Sequence, residues 1–282
     1  MPGTLFVVAT PIGNLEDITG RALRVLRSVG LIAAEDTRRT AHLLAHYAIT
    51  TPTTSLHEHN EASKSGALVT RLMRGENVAI VSDAGTPTVS DPGARLIAAA
   101  LDAGIKVESI PGPSAALAAL AASGFASDTF LFLGFPPTRL KDRKAWIETA
   151  RTAGRTVVFF EAPHRIVKTL EELRQSVGDC EVFVARELTK LHEELVKGPI
   201  SSVLSRLMTL RGEFTVVADI GRMPELNRIE AAGDGEMLEE FGVLTNLKGL
   251  DRRKAIAVLA DRYGQPRNEV YAAIERAKKL GV

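Results

Sequence analysis

Leu5-Phe6-Val7-Val8-Ala9 is apolar on both parities. That constrains the chain more than any other feature, because a strand with no polar side must be covered on both faces. Leu31-Ile32-Ala33-Ala34 and Val78-Ala79-Ile80-Val81 have the same character, and Lys106-Val107-Glu108-Ser109-Ile110 reads as a fourth strand. Between these runs the period changes. Ile18, Ala22, Val25 and Leu26 fall at helical spacing, and Ala94 to Ala103 is an alanine-rich helix stopped by Gly104. Short buried strands alternating with helices predict an α/β fold with a mostly parallel sheet. After a helix at Ala115 to Ala122 a second series begins, with strands at Phe130–Leu133, Thr156–Phe160, Cys180–Ala185 and Phe214–Ile220. Helices are expected over 141–150, 165–176 and 201–210. The pattern predicts an N-terminal α/β domain at 1–115 and a second α/β domain at 116–222, the second with more antiparallel pairing.

The rhythm breaks at Arg222 to Leu247, where Gly233-Asp234-Gly235 and an acidic bias predict a mobile linker over 223–247. Residues 248–282 then read as a basic helical hairpin. Asp251 is placed to cap a helix carrying Ala255, Ile256, Leu259 and Tyr263. Asn268 is placed to cap a second, with Val270, Tyr271 and Ile274. The whole chain is nearly neutral, with 35 basic and 34 acidic side chains among 282 residues, so any attraction to nucleic acid must come from local patches. Cys180 is the single cysteine, which excludes an intrachain disulfide and a thiolate metal cluster. No apolar run approaches the roughly 18 residues of a membrane helix, and the N-terminus shows no basic leader. A soluble, unsecreted protein of the cytoplasm, with no membrane partner, is expected.

Four loops follow the strands of the first series, where an open parallel sheet binds ligands. They are Thr10-Pro11-Ile12-Gly13-Asn14, Glu35-Asp36-Thr37-Arg38-Arg39, Ser82-Asp83-Ala84-Gly85-Thr86-Pro87 continuing to Ser90-Asp91-Pro92-Gly93, and Pro111-Gly112-Pro113-Ser114-Ala115. Any one of them alone reads equally well as a turn. Together on one sheet edge they point to a small-molecule site. None is a G-x-G-x-x-G or P-loop fingerprint, which weakens dinucleotide and P-loop readings.

Taken in order, Ala9 to Leu15, Ala34 to Arg38, His57-Glu58-His59-Asn60-Glu61, Ser82 to Pro87 and Phe160-Glu161-Ala162-Pro163-His164-Arg165 make a specific set. The chain resembles the ribosomal RNA small subunit methyltransferase I family, cytidine 2′-O-methyltransferases on the tetrapyrrole methylase fold. The resemblance runs from about Gly3 to Ile220, and the basic C-terminal hairpin also resembles the family's terminal domain. It implies two α/β domains of tetrapyrrole methylase type with S-adenosyl-L-methionine in the cleft between them, and a homodimer. By position, Pro11, Asp83, Ala84, Gly85, Thr86, Val89, Ser114 and Ala115 would meet the cofactor from the first domain, and Glu161 and Gly198 from the second.

Methyl transfer to a ribose hydroxyl needs proton removal or stabilisation of the developing alkoxide. The candidates are Glu35, Asp36, Asp83 and Lys190, the last if burial or neighbouring cations lower its pKa. For each acid the competing reading is a helix cap or a partner for Arg38 or Arg186. His57 and His59 share a face in an extended segment, but no further His or Cys completes a ligand set. RNA contact or loop stabilisation is therefore expected there, and no metal.

Basic groups that would neutralise RNA phosphates are Arg38, Arg39, Arg139, Lys141, Arg143 and Lys144 near the cleft. Arg252, Arg253, Lys254, Arg267, Lys278 and Lys279 add to them on the hairpin, and His164 and Arg165 read as phosphate ligands or a helix cap. With Trp146 and three tyrosines the chain has little to stack on bases, so shape and backbone recognition are expected. The leading expectation is 2′-O-methylation of a cytidine in the decoding region of 16S rRNA, on naked rRNA or the 30S subunit. The alternatives are methylation of a small acidic, tetrapyrrole-like substrate, or a non-catalytic ribosome assembly factor that binds RNA.

Overall fold

The computed structural model describes residues 1–207, 209–220, 234–247, 250–263 and 265–280, with the side chains of residues 246, 247, 261, 262, 279 and 280 outside the description. The chain divides into two compact units, Met1–Gly221 and Arg222–Val282. No helix among the described residues is long and apolar enough to cross a membrane.

The first half of the larger unit runs β1 (Thr4–Val8), α1 (Gly20–Ser28), β2 (Leu31–Ala34), α2 (Thr37–His46), β3 (Thr53–Ser55), α3 (Glu61–Met73), β4 (Val78–Val81), α4 (Ala94–Asp102) and β5 (Lys106–Ile110). The strands form one parallel sheet in the order β3-β2-β4-β1-β5. Every residue of β2 and β4 is buried, as their uniformly apolar sequence requires. Helices α1 and α2 cover one face, packing Ala22, Leu26, Leu43 and Leu44 on Val8, Ile32 and Val81. Helices α3 and α4 cover the other, with Leu68, Leu72, Leu96 and Ala100 on Leu5, Val7 and Ile80.

That division follows from handedness. The chain moves one way across the sheet from β1 through β2 to β3, then the opposite way through β4 to β5, and right-handed crossovers put the two pairs of helices on opposite faces. The direction reverses between the neighbouring strands β1 and β4, so a crevice opens beyond their carboxyl ends.

The second half runs α5 (Ala115–Ser123), β6 (Phe130–Phe132), α6 (Leu140–Arg151), β7 (Thr156–Glu161), α7 (Ile166–Val177), β8 (Glu181–Arg186), β9 (Glu194–Pro199), α8 (Ile200–Arg206) and β10 (Phe214–Asp219). Its sheet order is β6-β7-β10-β8-β9, parallel only between β6 and β7. Helices α6, α7 and α8 pack Trp146, Leu170, Leu173 and Val203 on Phe159, Val184 and Val216. The fully buried aromatics Phe159 and Phe214 each contribute about 1.5–3 kcal/mol by leaving water. Helix α5 covers the opposite face through Ala116, Ala119 and Leu120. Ser114 caps it, and Gly124 at φ +67° ends it in the left-handed conformation.

The smaller unit holds α9 (Asp234–Gly242), a π-helical turn at Val243–Leu247, α10 (Arg252–Tyr263) and α11 (Arg267–Leu280). Residues 234–247, expected within a mobile linker, are helical instead. Met237, Phe241 and Leu244 make an apolar stripe that packs on Ala255, Leu259, Val270 and Ile274, with the acidic residues outside it. Asp251 caps α10 as expected, accepting the Lys254 N–H at 2.9 Å. Asn268 does not cap α11: the helix starts one residue earlier, at Arg267, and the carbonyl of Pro266 accepts the N–H groups of Glu269 and Val270. Residues 221–233 of the expected linker lie outside the described residues.

Candidate functional site

Five loops gather at the carboxyl edge of the first sheet, and hydrogen bonds lock them to each other. Thr10 and Gly85 form an isolated antiparallel bridge, with N–H to carbonyl distances of 2.8 and 3.0 Å, which ties the loop after β1 to the loop after β4. The loop after β2 is tied in reciprocally: the Asp36 N–H donates to Asp83 Oδ1 at 2.9 Å, and the Asp83 N–H donates to Glu35 Oε2 at 3.2 Å. The Thr86 hydroxyl donates to the Pro113 carbonyl at 3.2 Å, adding the loop after β5. The fifth loop, His57 to Glu61, follows the short strand β3. Asn60 Oδ1 accepts the His57 N–H and Asn60 Nδ2 lies 3.0 Å from His57 Nε2. Buried Glu61 Oε1 accepts the N–H groups of Gly93, Arg95 and Leu96 at 3.0, 2.8 and 3.3 Å. Glu61 therefore caps α4, whose own N-cap is Gly93 with no side chain to offer.

Backbone strain concentrates here. Gly85 has φ +80° and Gly93 +124°, while the non-glycine residues Thr88 and Ser90 sit at +73° and +70°. In the second half, Glu187 and Thr189 in the loop after β8 are also left-handed, at +52° and +65°. That loop meets the loop after β1 so closely that a Cβ on Gly13 would lie 2.7 Å from the Leu188 carbonyl oxygen. A side chain there would push the two halves apart.

Between the two sheets lies a cavity of about 330 Å³. The first sheet contributes Ile12, Glu35, Arg39, Asp83 to Thr86, Val89 to Asp91, Ser114 and Ala115. The second contributes Phe135, Phe160 to Pro163, Leu188 and Gly212 to Thr215. Apolar walls with a few convergent polar groups are what a small-molecule site requires. On the first-sheet side the charged groups are the carboxylates of Glu35, Asp83 and Asp91, with Arg39 beside them. Burial, and the neighbouring charge of Asp83, hold Glu35 above its ordinary pKa despite the Asp83 N–H that it accepts. Burial and the charge of Glu35 push Asp91 up to about 6, against a hydrogen bond with the Ser82 side chain. Asp83 faces Arg39 at 3.4 Å.

This wall fits S-adenosyl-L-methionine, whose sulfonium is positive and whose adenine takes backbone hydrogen bonds in an apolar slot. Gly85 keeps the wall thin at its centre. A Cβ there would sit 3.5 Å from Ile12 and 3.8 Å from the Pro113 carbonyl.

Of the residues expected at the cofactor, Asp83, Ala84, Gly85, Thr86, Val89, Ser114, Ala115 and Glu161 converge on this cavity. Pro11 stands just outside the lining and Ile12 takes the place next to it. Gly198 does not line the cavity. It is paired with Val182 in β9, and Arg206 packs over it. Glu161 is fully buried and tied into the protein. It accepts from the Thr169 hydroxyl, lies 3.2 Å from Arg165 Nε and 4.0 Å from Arg143 Nη1.

The candidate bases separate. Glu35 lines the cavity. Asp36 caps α2, and its hydrogen bonds with Arg38 hold its carboxyl well below the usual range. Lys190 was a candidate only with a lowered pKa. Partial burial acts in that direction, but hydrogen bonds to Glu187 and Glu213, at 2.9 and 3.2 Å, outweigh it and raise the pKa. That is the opposite of the shift a base at Lys190 would need.

Two expected RNA-binding cations turn inward, Arg143 buried and Arg165 partly buried. Arg143 is 6% exposed, pairs with Glu172 at 2.5 Å and donates to Thr169 at 2.7 Å. Arg165 donates to the Pro136 carbonyl and faces Glu161. Both neutralise a buried carboxylate in place of a phosphate. Arg38 pairs with Asp36, and Arg39 with Asp83 at the cavity. Arg139, Lys141 and Lys144 are exposed at the start of α6. In the smaller unit Arg252 and Lys278 share Glu275, each at 3.2 Å, Lys254 faces Asp251, and Arg253 and Arg267 are exposed. The side chain of Lys279 lies outside the described residues.

Sequence reasoning did not single out Asp91, Phe135, Phe160, Leu188 or Glu213, which also line the cavity. Ser90-Asp91-Pro92-Gly93 was legible as an unusual loop, but nothing in its pattern says which way the carboxylate turns.

Residues 4–204 match the model of the tetrapyrrole (corrin/porphyrin) methylases. A Synechocystis protein named ribosomal RNA small subunit methyltransferase I is 43% identical over 272 residues, covering 95% of this chain and 96% of the relative. The Pseudomonas aeruginosa protein of that name is 43% identical, covering 98% of this chain and 99% of its own. The Thermotoga maritima protein of that name is 48% identical over 217 residues, covering 76% of this chain and 97% of its own. Among solved structures, diphthine synthase superposes with a TM-score of 0.63 at 15% identity, covering 77% of this chain and 90% of that one. Uroporphyrin-III-C-methyltransferase from Thermus thermophilus superposes at 0.54 and 20% identity, covering 78% of this chain and 96% of its own. The fold, the five locked loops and the near full-length identity agree: the chain belongs to the tetrapyrrole methylases and, within them, to the ribosomal RNA small subunit methyltransferase I family.

Proposed function

We propose that the protein transfers a methyl group from S-adenosyl-L-methionine to the ribose 2′-oxygen of a cytidine in the decoding region of 16S rRNA. The observation that carries this is the cavity between the two sheets, in a chain 43% identical over nearly its full length to relatives of that name. The cofactor supplies an electrophilic methyl on a positively charged sulfur. Around it, the Ala84 to Thr86 backbone and Ser114–Ala115 bind, while Val89 and Phe160 exclude water. Glu35 and Asp83 would complement the positive charge of the bound sulfonium. Holding the acceptor oxygen in line with the methyl supplies a large part of the acceleration.

Arg139, Lys141 and Lys144 on α6, with Arg252, Arg253, Arg267 and Lys278 of the smaller unit, serve as the phosphate contacts of the RNA. They set affinity and leave choice of nucleotide to the cavity. The same reading includes a boundary near residue 115 between the two α/β domains, a homodimer as the assembly and the cytoplasm as the place of action. The test is direct. Purified protein with labelled cofactor should label 30S subunits from a strain lacking this methylation, and Gly85→Trp should abolish both labelling and cofactor binding. Unlabelled subunits would refute the reading. Labelling of a tetrapyrrole with no labelling of rRNA would favour a small-molecule substrate.

A further inference from the structure

Three carboxylates line the first-sheet side of the cavity, and two of them hold loops. Glu35 Oε2 accepts the Asp83 N–H, Asp83 Oδ1 accepts the Asp36 N–H, and Asp83 Oδ2 faces Arg39. Asp91 is placed differently. Its carboxylate holds no loop N–H among the described residues, and it rides on a turn held from three sides. Thr88 and Ser90, just before Asp91, are themselves held in the left-handed region. Glu61 clamps the N–H groups of Gly93 and Arg95 just beyond it. From the second half, Gly134 approaches so closely that its Cβ would lie 3.1 Å from Ser90 Oγ. A strained, over-determined turn that presents one carboxylate to a cavity is the arrangement expected of a reacting group.

We propose that Asp91 takes the proton from the substrate hydroxyl during methyl transfer, a role that rests on the methyltransferase reading above. The oxygen–carbon bond forms as the carbon–sulfur bond breaks, with its electron pair left on sulfur. The hydroxyl proton passes to an Asp91 carboxylate oxygen and from there to solvent. The remaining charged groups at the cavity do other work. Lys190, outside the lining, pairs with Glu187 and Glu213, and Glu161 is tied to Thr169, Arg165 and Arg143. Glu35 and Asp83 face Asp91 from the loops after β2 and β4, with Arg39 on α2 beside Asp83, and Glu213 lies on the second-sheet wall. A carboxylate raised to about 6 by burial and by these negative neighbours is a better proton acceptor than an ordinary one and is still ionised at neutral pH.

The test uses the full chain, 30S subunits lacking the methyl group and single-turnover conditions with saturating cofactor. Asp91→Asn should slow the methyl-transfer step by about 100-fold or more, with cofactor Kd changed by less than about threefold, and Asp91→Glu should recover part of the rate. The wild-type rate should rise with pH and level off above about 6, and Asp91→Asn should lack that inflection. Glu35→Gln should keep the inflection but move it to lower pH, because losing a nearby negative charge eases ionisation of Asp91. Independently of turnover, carboxyl-carbon NMR of the ligand-free protein should show one group titrating near 6 that is missing in Asp91→Asn. Wild-type rates and pH profile in Asp91→Asn, or an inflection lost in Glu35→Gln and kept in Asp91→Asn, would overturn the assignment and leave the methyltransferase reading standing. A wild-type protein that binds no cofactor and labels no subunit would overturn both.

Discussion

Glu61→Ala should unfold the larger unit more easily than any single exposed charge removal, and the size of the loss can be worked from three hydrogen bonds. Glu61 is 7% exposed and its Oε1 accepts from Gly93, Arg95 and Leu96. These are the first unpaired N–H groups of α4. Gly93 and Leu96 are buried, so water cannot replace the carboxylate there, whereas the exposed Arg95 can hydrate. Leaving two buried donors unsatisfied costs about 1–3 kcal/mol each. Relief of the buried charge offsets part of this, and a net loss of about 2–4 kcal/mol remains. For a unit of this size that lowers Tm by about 4–16 °C. Glu61→Gln keeps an acceptor oxygen and should lose only about 1 kcal/mol. The assay is equilibrium urea unfolding of wild type, both Glu61 variants and Glu58→Ala, an exposed control two residues from Asn60. A Glu61→Ala midpoint indistinguishable from that of Glu58→Ala would refute the capping account and, with it, the anchoring of the Asp91 turn.

Further outcomes follow from the same geometry. Arg143→Met strips Glu161 and Glu172 of a buried partner and should cost about 3–5 kcal/mol in urea unfolding. A variant of normal stability with a selective, salt-dependent loss of RNA affinity would return Arg143 to the RNA surface. Asp91 is ionised at neutral pH against its surroundings. Since its folded pKa is raised, its ionisation costs stability as pH rises through about 6. Asp91→Asn should therefore melt higher than wild type at pH 7.5, with the gain shrinking as pH falls towards 4, and a gain independent of pH would contradict this. Burial, with the charge of Asp219, pushes the Cys180 thiol up to about 12. A thiol reagent at neutral pH should therefore label the native protein far more slowly than the urea-unfolded chain, and equal rates would refute its burial. Arg253→Glu should weaken RNA binding more at low salt than at high, and reduce the slope of log affinity against log salt by about 1. Equal weakening at all salt concentrations would remove Arg253 from the phosphate contacts.

What the sequence revealed depended on whether a residue's role is written in its neighbours. Strands β2 and β4, and the Leu5–Val8 stretch of β1, were legible because burial between helices forces an unbroken apolar run. Strand β3 is Thr53-Thr54-Ser55 on a sheet edge, where no apolar run is needed. Strand β9 buries Val196 and little else, so its alternation is too faint to separate from a loop. Helix α9 was missed for the opposite reason, as its apolar stripe of Met237, Phe241 and Leu244 is interleaved with acidic residues that dominate the local composition. At the site, the loop residues from Asp83 to Thr86 were legible because a turn beyond a buried strand has one place to go. Asp91 was not, because its direction is fixed by Thr88, Ser90 and the distant Glu61. Arg143 and Arg165 look like surface cations in sequence. Only the fold shows that Glu161 and Glu172 enclose them.

The central claim is the chemistry at a ribose 2′-oxygen, and mapping the methyl group tests it most directly. Unmethylated 30S subunits would be incubated with the protein and isotopically labelled S-adenosyl-L-methionine, then digested to nucleosides and to alkali-resistant dinucleotides for mass spectrometry. The account predicts a single labelled methyl on the ribose of one cytidine in the decoding region, recovered in a dinucleotide that alkali cannot cleave. Label on a base, on another molecule or nowhere in the RNA would contradict it.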